Sequence, residues 1–272
     1  MRLCTIKRLD GTWQPGEVRD GIAYTLGTGT VLDIIKKGGE LNRDDQYKLQ
    51  SEPLFGAPFV PGKILCVGRN YAEHAAELGN AMPDKPLIFS KFPSSVVGTN
   101  EYIRWRAALT QQVDWEGELA VIIGKKVKDI QEEEAMEAVF GYVIANDVSA
   151  RDLQDNDKQW SRAKGMDTFC PLGPMIVTAD EIEDPHTLTI ETRVNGELMQ
   201  QGHTGDMFFK IPYLIAYLSQ AFTLEPGDLI LTGTPSGVGK GMKPPRFLQH
   251  GDTVSVTIEP LGTLTNPCHV VD

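Results

Sequence analysis

The segment that most constrains the fold is DWEGELAVIIGKKV, at residues 114–127. It begins with alternating polar and apolar positions and continues as an unbroken apolar run. Alternation with a period of two is typical of a half-buried β-strand, and a short apolar run is typical of a strand buried on both faces. The segment therefore predicts a long strand that runs into the core.

Further strands are predicted along most of the chain, and predicted helices are few. Asn195-Gly196 stands between two alternating segments, and this pair favours the positive φ angles of a two-residue hairpin turn. Helical spacing is clearest at 71–79, where Gly79 provides a stop, and in the apolar stretch 209–224. Other predicted strands lie at 63–70, 141–150, 227–234 and 251–267. The pattern predicts a β-rich α+β fold.

The proline-framed segment FGAPFVPGK, at 55–63, resembles a linker. We therefore predict two parts: a small N-terminal β domain at 1–58 and a catalytic domain at 59–272. Within the first part, the polar stretch 36–53 suits a helix or a surface connection.

Composition excludes several classes of protein. With 37 acidic and 26 basic residues the formal charge is −11, which disfavours a nucleic-acid surface built from clustered Lys and Arg. No apolar run approaches the roughly 20 residues needed to cross a bilayer, and the N-terminus lacks the apolar core of a signal peptide. The four cysteines form no CxxC pair. We expect a cytoplasmic protein with no nucleic-acid or membrane partner.

Two carboxylates, Glu116 and Glu118, lie two residues apart in the strand predicted at 114–127, so they share one face. Like charges at the edge of a core are costly unless a cation compensates them. Asp147 ends another predicted buried strand and could add a third carboxylate. Such an oxygen-rich set selects Mg²⁺ or Mn²⁺. The alternative is a solvated strand face with no metal.

His74 and Glu77 are three residues apart on a predicted helix and can touch. A carboxylate beside an imidazole fixes its tautomer and raises its basicity, which gives a base able to activate water. The alternative is an ordinary surface pair.

Two further segments could bind an anion. The glycine-rich GDLILTGTPSGVG, at 227–239, has neither Walker A nor Rossmann spacing, but its backbone amides could face a carboxylate or enolate. A plain turn is an equal alternative. The charged stretch 150–165 is expected to be a solvated loop for most of its residues. Lys164 enters a compact apolar segment and could pair with a substrate carboxylate.

Seven segments in colinear order resemble the fumarylacetoacetate hydrolase family. They are VGRNYAEHAAELG (67–79), KPLIFSK (85–91), DWEGELAVIIGK (114–125), ANDVSARDLQ (145–154), AKGMDTFCPLGP (163–174), RVNGELMQ (193–200) and GDLILTGTPSGVG (227–239). Each motif alone is weak, but seven in order are highly specific. The resemblance runs from about residue 62 to the end.

The resemblance implies a mixed β-sandwich roll, a homodimer, and Mg²⁺, Mn²⁺ or sometimes Ca²⁺ as cofactor. The residues that match the family's motifs have three implied roles. The metal ligands are Glu116, Glu118 and Asp147; the catalytic residues are His74, Glu77 and Lys164; the substrate-binding residues are Gln154, Thr234 and, more weakly, Arg69.

The implied substrate is a small anionic 2-oxo acid. The presence of a His74–Glu77 base favours hydrolysis of a C–C bond in an acylpyruvate-type 2,4-dioxo acid through a stabilised enolate. The same site could instead decarboxylate oxaloacetate, or isomerise or tautomerise a 2-hydroxy-diene-dioate. A non-catalytic metal-stabilised binding protein is the alternative from a different class.

Overall fold

The computed structural model describes residues 1–8, 10–27, 29–41, 48 and 54–272. The strands are β1 (Arg2–Lys7), β2 (Trp13–Arg19), β3 (Ile22–Thr25), β4 (Phe55–Gly56), β5 (Ile64–Gly68), β6 (Leu87–Lys91), β7 (Val96–Val97), β8 (Ile103–Arg106), β9 (Val113–Asp114), β10 (Gly117–Ile123), β11 (Val139–Asn146), β12 (Ser149–Ala150), β13 (Cys170–Thr178), β14 (Thr189–Val194), β15 (Glu197–His203), β16 (Leu229–Leu231), β17 (Thr253–Ile258) and β18 (Gly262–Val271). The α-helices are α1 (Val31–Lys36), α2 (Ala72–Glu77), α3 (Arg151–Asp157), α4 (Ser161–Lys164) and α5 (Ile211–Ala221). Short 3₁₀ helices are Pro93–Ser95, Glu132–Ala138, Ala179–Glu181, Thr204–Asp206 and Gly239–Gly241.

The strands form three sheets. The largest has 11 strands along the path β3-β2-β1-β13-β11-β10-β16-β5-β6, with β4 beside β1 and β7 beside β13. A second sheet follows the order β15-β14-β17-β18-β8, and β9 pairs with β12. Most pairs are antiparallel, whereas β5–β16, β7–β13 and β8–β18 are parallel. The predicted β-rich fold with few helices is confirmed.

Strand β10 lies at the centre of the large sheet and is buried along its whole length. Its odd-numbered residues, such as Leu119 and Val121, pack towards α5 and the second sheet. Its even-numbered residues, such as Ala120 and Ile122, pack with α1 and β1 on the opposite face. The apolar run in the sequence thus reflects a strand covered on both sides.

The hairpin predicted at Asn195-Gly196 joins β14 to β15. Both residues have positive φ, 52° and 82°, as a type I′ turn requires. Val194 pairs directly with Glu197 across the turn.

Strand pairing crosses the predicted domain boundary at residue 58, since β1 pairs with β13 and continues the large sheet through β2 and β3. The division into two domains stays a prediction. Residues 42–47 and 49–53, most of the polar stretch 36–53, lie outside the described residues. Among the described residues, no helix is long and apolar enough to span a membrane.

Candidate active site

Strand register brings the three predicted carboxylates together. Glu118 of β10 pairs with Ala145 of β11, and the amide of Asp147 donates to the carbonyl of Glu116 at 2.8 Å. Glu116, Glu118 and Asp147 are all buried, and each offers a carboxylate oxygen within 4.8 Å of the others. The solvated strand face considered from sequence is therefore wrong for these residues.

Three buried cations surround two of these carboxylates. Lys164 Nζ lies 2.7 Å from Glu116 Oε2 and 2.8 Å from Asp147 Oδ2. Lys91 Nζ forms an ion pair with the other oxygen of Asp147 and donates to the carbonyl of Val148 at 3.2 Å. Arg151 Nη2 lies 2.7 Å from Glu116 Oε1.

Glu116 and Glu118 consequently differ in charge environment. Burial alone would raise the pKa of Glu116, but Lys164 and Arg151 outweigh it and hold that pKa well below its usual range. Glu118 contacts no lysine or arginine among the described residues and accepts one hydrogen bond, from the Gly233 amide at 2.7 Å. Burial and the charges of Asp147 and Glu116 raise its pKa well above its usual range.

The donor set fits a hard divalent cation. All three groups are carboxylates, which suit Mg²⁺ or Mn²⁺ better than zinc. The raised pKa of Glu118 marks negative charge that the protein's own cations leave uncompensated, and a bound cation would compensate it. The triad could therefore hold a divalent metal.

We expect Glu118→Gln to stabilise the metal-free protein. Because the pKa of Glu118 is raised on folding, its contribution to stability falls as pH rises above the unfolded value of 4.5 and towards the folded pKa. Glutamine does not titrate and can still accept from Gly233. Denaturation of chelator-treated protein should show a gain of about 1 kcal/mol or more at pH 8, and a smaller gain at pH 5. An equal or lower stability of the variant at pH 8 would contradict this.

The predicted base pair is formed. On α2, His74 Nδ1 lies 2.8 Å from Glu77 Oε1, and His74 is buried. Glu77 Oε2 in turn accepts the amide of Gly237 at 2.9 Å. With Nδ1–H donated to Glu77, Nε2 is the nitrogen free to accept a proton. The surface-pair alternative does not hold for a buried imidazole fixed in this way.

The glycine-rich segment binds anions, but they are carboxylates of the protein itself. Amides of this segment and of the next residue, Lys240, donate to three acidic groups: Gly233 to Glu118, Gly237 to Glu77, and both Gly239 and Lys240 to Asp114, at 2.7 and 3.0 Å. Gly233 and Gly237 have φ of +100° and +102°, a backbone region that favours glycine. The segment thus orients carboxylates of the site. The sequence had predicted that these amides face a carboxylate or enolate of the substrate.

The charged stretch 150–165 folds into α3 and α4 instead of a solvated loop. Arg151 is buried because β9 pairs with β12, which brings Asp114 close: Arg151 Nε donates to Asp114 Oδ2 at 2.8 Å. Arg151 Nη1 donates to Gln154 Oε1 at 3.0 Å. The solvated-loop expectation was wrong for Arg151, because two buried carboxylates compensate its charge.

The remaining predicted residues, Thr234 and Arg69, line the same site and differ in how far the protein's own groups already occupy their polar atoms. The Thr234 hydroxyl donates to the carbonyl of Gly117 at 2.9 Å and accepts from Gln200 at 2.8 Å, so its proton is already engaged. Arg69 has a φ of +57° and forms no ion pair with a described residue. Sequence reasoning gave no role to Lys91, Asp114 or Gln200.

These side chains enclose one cavity of about 320 Å³. Asp147 and Glu77 do not line the cavity, but they contact Lys164 and His74, which do. The lining residues are Val67, Gly68, Arg69, His74, Leu78, Asn80, Phe89, Glu116, Glu118, Arg151, Gln154, Asp155, Trp160, Lys164, Thr234 and Lys240. The cavity therefore holds the imidazole, two of the three carboxylates and several cations.

Residues 63–269 match the family model described as fumarylacetoacetate (FAA) hydrolase C-terminal. The chain belongs to the fumarylacetoacetate hydrolase family. Oxaloacetate tautomerase YisK of Bacillus subtilis is 49% identical over 252 residues, which cover 92% of this chain and 84% of that protein. The structure of fumarylacetoacetate hydrolase from Exiguobacterium antarcticum has a TM-score of 0.92 and 43% identity, with full coverage of both chains. A 2-hydroxyhepta-2,4-diene-1,7-dioate isomerase from Mycobacterium marinum has a TM-score of 0.82 and 40% identity, over 99% of this chain and 98% of that one.

The predicted family and its fold are confirmed, and the protein is an enzyme of this superfamily. The expected hydrolysis of an acylpyruvate has no specific support among these relatives. The names of the Bacillus and Mycobacterium proteins favour the alternative that the sequence left open, an oxaloacetate-directed or isomerising activity.

Proposed function

We propose that this protein is a metal-dependent tautomerase that interconverts the enol and keto forms of oxaloacetate. The observation that carries the proposal is the placement of His74, oriented by Glu77, in the same small cavity as Glu116 and Glu118 of the carboxylate triad. The likeness to oxaloacetate tautomerase YisK supports the choice of substrate.

The reaction moves one proton. In the keto-to-enol direction a proton leaves C3, the C3–C2 bond becomes double, and the 2-oxo oxygen gains a proton; the reverse direction returns it to C3. The barrier lies in the negative charge that develops on the C2 oxygen. A site that places positive charge there in advance lowers this barrier.

Magnesium or manganese is the cofactor we propose for Glu116, Glu118 and Asp147. When bound, such a cation supplies Lewis acidity to the oxo and carboxylate oxygens of a 2-oxo acid. The protein's own residues supply the proton transfer and the remaining charge.

His74 is the proton carrier in this proposal. Glu77 holds the Nδ1 proton and stabilises the imidazolium that forms when Nε2 takes a proton from C3. Because the Gly237 amide fixes Glu77 from the other side, the ring keeps its orientation throughout the cycle.

Lys164 supports the developing charge on the substrate. Its ammonium is buried between Glu116 and Asp147, and those carboxylates, opposed by burial, raise its pKa, so it stays protonated. Phe89 lies beneath the ammonium, with 5.1 Å between Nζ and the ring centroid. A protonated amine held in this cavity can donate to a substrate oxygen.

The proposal is tested by supplying the enol form of oxaloacetate and following its ultraviolet absorbance, with Mg²⁺ or Mn²⁺ and after chelation. We expect metal-dependent acceleration of enol loss with oxaloacetate as the product. Proton NMR of the same samples measures pyruvate, and a parallel sample contains acetylpyruvate. Stoichiometric pyruvate from oxaloacetate would replace the proposal with a decarboxylase, and pyruvate from acetylpyruvate alone would replace it with a hydrolase.

A further inference from the structure

The solvent-facing part of the cavity carries a pair of charged residues that the proposed proton transfer does not use. Lys240 Nζ lies 2.6 and 2.7 Å from the two oxygens of Asp155, and both residues line the cavity. Their side chains are 31% and 58% exposed, against 6% or less for the triad carboxylates Glu116 and Asp147. The pair therefore lies at the rim of the cavity, and the buried triad residues Glu116 and Glu118 lie at its floor.

The backbone of Lys240 is fixed to the floor. Its amide and that of Gly239 donate to the two oxygens of buried Asp114, which also holds Arg151, and Arg151 contacts Glu116. On the other side Gly241 packs against Glu77: a Cβ there would lie 2.7 Å from Glu77 Oε2. The base of the Lys240 side chain is thus placed by the residues that place the triad and the imidazole.

The ion pair at the rim is easily exchanged. Asp155 is more than half exposed, and water screens such a pair, so it contributes little net stability. A carboxylate of a ligand could replace Asp155 as the partner of Lys240 with little loss. Arg69, which also lines the cavity, has no carboxylate partner among the described residues.

We propose that Lys240 determines specificity for dicarboxylic substrates by binding the carboxylate remote from the metal-chelating end, and that Asp155 holds this position until the substrate displaces it. The inference rests on the proposed function only in the choice of a four-carbon 2-oxo diacid. A monocarboxylate of the same length binds the floor but leaves the Lys240–Asp155 pair intact.

The two residues have opposite effects on binding. Loss of Lys240 removes the attraction for the second carboxylate, whereas loss of the Asp155 charge removes its competitor. A merely structural ion pair would weaken binding in both variants. Whether the Asp155 variant binds a dicarboxylate more tightly or more weakly therefore separates the two explanations.

The test is calorimetric binding of malate and 2-hydroxybutyrate to manganese-loaded protein. The two ligands share the 2-hydroxy acid end and four carbons, and differ in a carboxylate or a methyl group at C4; neither is a substrate for tautomerisation. For Lys240→Met we expect the affinity for malate to fall about tenfold, as for loss of one charge-assisted hydrogen bond, and that for 2-hydroxybutyrate to stay within about twofold. For Asp155→Asn we expect malate to bind about threefold more tightly.

The matched controls are Lys126→Met and Glu225→Gln. These residues form an exposed ion pair of 2.9 Å away from the cavity lining and reproduce the same changes in net charge. Neither control should change the ratio of the two affinities. Equal weakening of both ligands in Lys240→Met, no change in either, or weaker malate binding in Asp155→Asn would overturn the inference. If the preference for malate over 2-hydroxybutyrate is lost in Lys240→Met but the unmodified protein does not ketonise the enol of oxaloacetate, the proposed function fails and this inference stands.

Discussion

Replacing Asp147 with asparagine should abolish metal binding and lower the rate of enol ketonisation by about 10³-fold or more. Asparagine keeps the shape but removes one of three ligand charges. It also leaves the ammonium groups of Lys91 and Lys164 without their shared carboxylate partner, and their uncompensated charge would repel a cation. Metal content after dialysis and the ketonisation rate at saturating Mn²⁺ measure the two effects.

Asp228→Asn is the matched control. Asp228 is also a buried carboxylate paired with a lysine, at 2.6 Å from Lys63 Nζ, but neither residue lines the cavity. The control should lose stability and keep both its metal and its rate per folded molecule. An Asp147→Asn protein that retained one metal ion and most of its rate would remove the triad from the metal site.

The triad could be predicted because its information is local. Glu118 lies in β10 and Glu116 directly precedes that strand, whose burial the apolar pattern reveals, and their spacing of two residues predicted a common face. Asp147 required one further assumption, that its strand neighbours the first. The observed pairing of β10 with β11 meets that condition.

The cations could not be predicted in the same way. Arg151 belongs to a charged stretch whose composition is that of a solvated surface, and Lys91 ends the apolar segment 86–90 with no carboxylate near it in the sequence. A charged residue is buried only where partners compensate it. Those partners, Asp147 and Asp114, are 56 and 37 residues away in sequence. The β9–β12 pair places Asp114 beside Arg151, whereas Lys91 at the end of β6 contacts Asp147 just after β11, although these two strands do not pair. Neither contact is visible in a single sequence.

The glycine-rich segment shows a different limit. Its glycines predicted a backbone able to face an anion, and the structure has that backbone. Which anion these amides bind depends on which carboxylates the fold places next to them. Glu77, Glu118 and Asp114 are held there by the fold, so their hydrogen bonds form without the entropic cost of capturing a free ligand.

Replacing His74 with alanine should lower the turnover number by about 10²- to 10⁴-fold, the usual contribution of a positioned general base. Metal affinity should change little, because the imidazole is not one of the three carboxylate ligands. Exchange of the C3 hydrogens of oxaloacetate with deuterium in heavy water measures proton transfer directly. This exchange should fall in parallel with turnover, whereas KM stays within a few fold.

Two variants on the same helix separate catalysis from structure. Glu77→Gln removes the charge that stabilises the imidazolium but can still accept a hydrogen bond, so we expect a loss of about tenfold in turnover and a changed pH profile. Glu73, which precedes His74, is exposed, and among the described residues its side chain accepts a hydrogen bond only from the Ser236 hydroxyl, at 3.1 Å, so Glu73→Gln should leave turnover unchanged. If His74→Ala exchanged C3 hydrogens as fast as the unmodified protein, the base would have to be another group in the cavity. The positions of Glu77 and Gly237 around the ring would then be structural, because a group that orients a non-participating imidazole cannot affect the transition state.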